Sequence, residues 1–200
     1  SGADATVEGG ATLAGGNVVL DGNDDYVDLP NGIVSVLAEA TFSAWLVWNG
    51  NNCWHRVWSF GTTVQGEDLV GDRENELFAT PVNCPGAADA EGYTALLEFA
   101  GAPGENAELL SGVPFGNGIL RHAVLSFGAS GALRLYLDGE RVAATTTGWR
   151  LADIADVNNW LGRSQWTQDF NLPGVYESFE IYDVALADAE VRDLFASGPR

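Results

Sequence analysis

The stretch WLGRSQWTQDFNLPGVYESFEIYDVALADAEV, Trp160 to Val191, reads as strand, loop, strand and short helix. From Gly174 the residues alternate: Val175, Glu177, Phe179 and Ile181 fall on one face of a strand, and Tyr176, Ser178, Glu180 and Tyr182 on the other. The alternation predicts that a carboxylate, Glu177, shares the apolar face. There it needs a hydrogen-bond donor, an arginine or a metal ion, because an unpaired charge is costly to bury. After Tyr182 the period changes. Val191, Leu194 and Phe195 mark one side of a helix that stops at Ser197-Gly198-Pro199.

Outward from this stretch, short apolar runs are separated by Gly, Asn, Asp and Pro clusters, the pattern of an all-β chain. Weak strands are expected around Ala5, Val7, Ala11 and Leu13. Val18–Leu20 and Tyr26–Leu29 flank the acidic turn Asp21-Gly22-Asn23-Asp24-Asp25. Ala40–Trp48 carries bulk on both faces, as the interior of a sandwich requires. A returning strand, Trp54–Gly61, would place Trp54, Arg56 and Trp58 on one face. Residues 62–76 read as a polar excursion loop. Further strands are expected at Leu77–Thr80, Thr94–Phe99, Glu108–Leu110, Ile119–Phe127 and Leu133–Val142. Asp138-Gly139 inside the last of these is a two-residue hairpin signal. The reading is an antiparallel two-sheet β-sandwich with a short C-terminal helix, one domain over residues 1–200.

The chain has 200 residues, 46% of them hydrophobic, and a net charge of -19 with nine Arg and no Lys. Such a balance supplies no basic patch, which argues against nucleic acid and anionic membranes. No apolar run reaches the roughly 18 residues needed to span a bilayer. A solvated acidic surface and acids clustered for divalent cations both account for the charge. The absence of Met and the Ser1-Gly2 start imply a segment of a longer, multidomain precursor. Cys53 and Cys84 stand in loop-like contexts, the second being Asn83-Cys84-Pro85-Gly86, and read as a disulfide of an extracellular chain.

Three motifs carry a family resemblance. Asp21-Gly22-Asn23-Asp24-Asp25-Tyr26-Val27 is similar to an Asp-Gly-x-x-Asp-Tyr-Val turn. Tyr136-Leu137-Asp138-Gly139 matches a Tyr-x-Asp-Gly hairpin. Ile181-Tyr182-Asp183-Val184-Ala185-Leu186 followed by Glu190-Val191 matches a closing block. Their order resembles the laminin-G-like, concanavalin A-like lectin/glucanase domains. The resemblance implies a jelly-roll sandwich of a secreted or cell-surface protein, and it makes a structural calcium plausible. Asp21, Asp25 and Glu177 would then be part of the calcium shell; an ordinary acidic turn is the alternative.

Glycosidases of related fold need two carboxyl groups across one groove. Glu177 and Glu180 point to opposite faces of a strand, the Glu-x-Asp-x-x-Glu pattern is absent, and no Gly-x-Ser-x-Gly occurs. The expected role is therefore binding without catalysis. Aromatic rims with amides and acids suit sugar rings. Two loops offer them: Trp48, Asn51, Trp54 and His55 on the first, Trp166 and Asp169 on the second. Trp45 and Trp58 are assigned to packing, and His122 to a hydrogen-bonded structural histidine. The partner is a carbohydrate or an extracellular protein; a spacer or protein-interaction module without a glycan ligand is the alternative.

Overall fold

A computed structural model describes residues 4–84, 92–99 and 106–200; Pro85 and Gly86 of the second cysteine loop lie outside them. In chain order its strands are β1 Thr6–Glu8, β2 Thr12–Ala14, β3 Asn17–Asp21, β4 Tyr26–Leu29, β5 Ala40–Trp48, β6 Trp58–Thr63 and β7 Arg73–Thr80. They continue as β8 Thr94–Phe99, β9 Ala107–Leu110, β10 Leu120–Phe127, β11 Ala132–Leu137, β12 Glu140–Thr146, β13 Asn158–Leu161 and β14 Pro173–Tyr182, and the helix is α1, Asp188–Ser197. One sheet has the order β1-β4-β13-β6-β7-β8-β9 and the other β12-β11-β10-β5-β14-β3-β2, with every pairing antiparallel. The chain is thus a two-sheet jelly-roll sandwich. Among the described residues no helix is long and apolar enough to cross a membrane.

Alternation along the central strands fills the space between the sheets. Ala40, Phe42, Ala44, Leu46 and Trp48 of β5 face inward against Trp58 and Phe60 of β6 and Leu77 and Ala79 of β7. Phe42 packs 5.0 Å from Phe60 and 6.3 Å from Trp58, centroid to centroid. The other face of β5 is covered too: Trp45 stacks on His122, at 4.7 Å, and on Phe195 of α1, at 5.4 Å, while His122 and Phe195 lie 6.0 Å apart. That second layer explains why β5 carries bulk on both sides. Buried His122 has Ser43 Oγ 2.9 Å from its Nε2. At Ala187 no side chain caps α1, and the Glu190 carboxylate instead accepts the Ala187 N–H at 2.8 Å.

Two expectations fail in an informative way. The loop expected over 62–76 is shorter, 64–72, because β6 runs through Thr63 and β7 starts at Arg73. The single-phase alternation of β14 also fails. Tyr176 pairs with Leu46 and Ser178 with Trp45, so Glu177 is an extra residue in a β-bulge. The bulge resets the phase, and both Tyr176 and Phe179 face the core while Val175 does not. Tyr176 fixes its end of the strand by donating its hydroxyl to Val57 O at 2.6 Å. Glu177 therefore does not share the apolar face and needs no buried partner.

Candidate functional site

The outer face of the sheet containing β6, β7 and β8 carries Ser59, Glu76, Phe78 and Glu98. The register sets Ser59 opposite Phe78 and Glu76 opposite Glu98. Onto this face folds the loop between β13 and β14. Its anchor is Gln165, fully buried, which donates Nε2 to Ser59 Oγ at 3.1 Å and to Asn158 O at 2.9 Å. Asn158 returns a bond from Nδ2 to Gln165 Oε1 at 3.1 Å. Leu172 N donates to Gly162 O at 2.8 Å and closes the loop at its base. The loop then presents Trp166, Gln168 and Asp169 outward. Ser164 Oγ braces it by donating to Asp169 Oδ2 at 2.7 Å and accepting Trp166 N–H at 3.1 Å.

Facing it is the segment before β6. The Cys53–Cys84 disulfide, with Cα atoms 5.8 Å apart, and Trp54 N donating to Val82 O at 3.0 Å hold this segment against the end of β7. Trp54 has φ of +62°, a left-handed conformation rare for a bulky residue and persistent only where its surroundings enforce it. Arg56, only 2% exposed, ties the two sides together. Its Nε donates to Glu76 Oε1 at 3.0 Å, its Nη1 to Trp54 O at 2.7 Å, and its Nη2 pairs with Asp169 Oδ2 at 2.9 Å. The guanidinium lies 3.8 Å over the Phe78 ring. Glu76, 0% exposed, also accepts Ser59 Oγ–H at 2.7 Å.

Between these walls lies a cleft of about 330 Å³ lined by Trp54, Arg56, Phe78, Glu98, Trp166, Gln168 and Asp169. Trp166 and Asp169 also wall a neighbouring cleft of about 450 Å³, whose lining includes Asn23, Asp24, Tyr26, Asp68, Arg163 and Asn171. Each is within the size range of small-ligand sites.

Of the residues expected to form a rim, Trp54, Trp166 and Asp169 come together in the first cleft. Trp48 and His55 do not. Trp48 is the last inward residue of β5 and donates its indole N–H to His55 Nδ1 at 2.9 Å, both side chains being buried. A Cβ on Gly50 would lie 2.4 Å from Trp48 Nε1, so the turn is pressed directly onto this pair. Asn51 is exposed on that turn and lines neither cleft. The expected common face of Trp54, Arg56 and Trp58 also breaks, since Trp58 is in the core. Gln168 comes from the second expected loop, whereas Arg56, Phe78 and Glu98 lie outside the expected rim. The available signal was an arginine between tryptophans in an acidic chain, since a buried guanidinium demands acids nearby.

The acidic turn holds Asp21, Asp24 and Asp25, with one carboxylate oxygen of each within 4.8 Å of the others. Asp25 is buried because its carboxylate accepts two backbone N–H groups, from Gly10 at 2.5 Å and from Asp21 at 2.7 Å. Asp21 accepts both the backbone N–H and the Nδ2–H of Asn23, which hold its carboxyl below the usual range. Glu177 is not part of this group. Asp21 pairs with Pro173 at the start of β14, and four residues of strand, about 13 Å, separate Pro173 from Glu177.

A family model described as the concanavalin A-like lectin/glucanases superfamily matches residues 21–192. The chain belongs to that superfamily. No curated protein matches this concanavalin A-like domain in sequence. Among solved structures it is similar to domain 4 of a GH43 extracellular arabinanase from Geobacillus stearothermophilus, in complex with arabinotriose. That match has a TM-score of 0.69 at 17% identity and covers 95% of this chain and 87% of that one. It is also similar to the CBM40 of a Ruminococcus gnavus IT-sialidase bound to α2,3 sialyllactose, with a TM-score of 0.67 at 16% identity, over 90% and 96% of the two chains. The botulinum neurotoxin serotype D binding domain matches with a TM-score of 0.62 at 12% identity, over 98% of this chain and 47% of that one. At these identities the concanavalin A-like domain shares their fold.

Proposed function

We propose that the domain is a non-catalytic carbohydrate-binding module of a secreted or surface protein, and that the paired clefts around Trp166 and Asp169 hold the glycan. The observation that carries this reading is the first cleft. Two partly exposed tryptophans flank it, and an arginine held by three polar partners fixes their spacing. Aromatic faces stack on the C–H side of a sugar ring, while Gln168, Asp169 and Glu98 offer groups for its hydroxyls. A rigid rim lowers the ordering cost of binding. The disulfide and the sugar ligands in the similar structures support an extracellular, glycan-directed setting.

Trp54→Ala and Trp166→Ala, tested singly by calorimetry against glycans selected on an array, are expected to weaken binding about 10- to 100-fold. Asn51→Ala, outside both clefts, should bind as the parent does. An array without a binder, or tryptophan variants with unchanged affinity, would favour the spacer reading. Hydrolysis of a polysaccharide abolished by Glu98→Gln would instead make the domain an enzyme.

The calcium suggested by the family resemblance also remains a proposal, with Asp24 in the position earlier given to Glu177. The donors of Asp21, Asp24 and Asp25 are hard carboxylate oxygens of the type calcium takes, with the rest of its six to eight ligands left to carbonyls and water. Asp25 needs no ion to be buried, so the fold is expected to persist without one. Added calcium should raise the melting temperature by a few degrees and chelator should reverse the rise; a melting temperature indifferent to both removes the ion.

A further inference from the structure

We infer that the first cleft discriminates against acidic saccharides: its ligand is a glycan without carboxylate or sulfate groups. This rests on the glycan-binding reading above and adds the chemical class of the ligand. A site for acidic sugars needs a cation with N–H groups to offer. Among the described residues lining this cleft the cation is Arg56, which is 2% exposed and has partners on all three of its nitrogens and on one face. Nε is held by Glu76, Nη1 by Trp54 O, Nη2 by Asp169, and one face by Phe78. An acidic ligand would have to reach a buried cation already paired with two carboxylates, and would compete with Asp169 or Glu76 for it. Displacing Glu76 would strand a carboxylate that is 0% exposed and whose Oε2 has no partner.

The remaining charges point the same way. Glu98 and Asp169 both line the cleft. Across the shared wall, Asp24 and Asp68 line the second cleft, and its cation, Arg163, has its guanidinium carbon 4.4 and 4.3 Å from the centroids of the Tyr26 and Trp160 rings. The whole chain carries -19, so an anionic glycan is repelled on approach as well as at contact.

The test uses the whole chain and neutral oligosaccharides, each paired with a sialylated, uronate-bearing or sulfated counterpart. At 150 mM salt the acidic member of a pair is expected to bind at least about tenfold more weakly, with the gap narrowing as salt rises. Asp169→Asn, verified as folded by circular dichroism, removes a carboxylate and loosens the hold on Arg56 Nη2; the gap should shrink. Acidic members that bind as well as their neutral partners would overturn this inference and leave glycan binding standing, as would a gap that Asp169→Asn does not change. A panel with no binder overturns the glycan reading and this inference with it.

Discussion

Glu76→Ala is expected to destabilise the domain by about 3–5 kcal/mol, because it leaves the Arg56 guanidinium buried without its main countercharge. The same change removes the acceptor of Ser59 Oγ–H, and through Ser59 it loosens Gln165, the anchor of the loop that bears Trp166. The effect should appear as a lower denaturant midpoint at unchanged slope. Replacing Arg56 and Glu76 together by Met should cost less than the two single changes added, since neither member of the buried pair is then left without the other; Asp169 still loses its arginine but keeps Ser164. An unfolding free energy for Glu76→Ala within about 1 kcal/mol of the parent would mean that Asp169 and solvent can hold Arg56 unaided.

The second large effect is on acid stability. Both histidines have their pKa lowered from 6.5 to about 4, chiefly by burial, with Arg56 contributing at His55 and Asp138 partly opposing the shift at His122. His55 has a geometric reason to stay neutral: the Trp48 indole can only donate, so Nδ1 must remain unprotonated to accept. Between these pH limits the unfolded chain binds more protons than the folded one, so stability rises with pH. It is undiminished above about pH 6.5 and is lost progressively as pH falls toward 4. A displacement of this size is worth about 3 kcal/mol per imidazole as an upper figure. Denaturant titrations at pH 7.5, 6 and 5 should show falling midpoints, and the imidazole C–H resonances should not move across this range. A resonance titrating near 6.5 in the folded protein would contradict the assignment.

The architecture was legible in the sequence because its signals are local. Alternation, the Asp138-Gly139 turn and the ordered motifs each survive in a single segment, and β5, β10, β11 and β14 stand where those signals put them. What failed depended on one-residue events that leave no mark in composition. The bulge at Glu177 changes the phase of β14, and a bend at Val57 changes the phase just before β6, so that consecutive Val57 and Trp58 both enter the core. Each moves a charged or aromatic side chain to the opposite face. The rim was half legible for a related reason. Trp54, Trp166 and Asp169 sit in polar loops and could be picked out, whereas Phe78 and Glu98 lie mid-strand and face outward only because the register pairs them with Ser59 and Glu76. Trp48 misled because it adjoins the turn but is the last inward residue of β5.

The cross-link at Cys53 is adjacent in sequence to Trp54, one wall of the cleft, while Cys84 belongs to the segment that follows β7. On the proposed reading, oxidative folding therefore fixes this wall of the cleft before any ligand arrives. The loss of loop freedom that would otherwise count against complex formation is incurred once, when the thiols join. The consequence is kinetic: such a module should capture its target by rigid docking, and differences between related sugars should show up mainly as differences in how long each one stays.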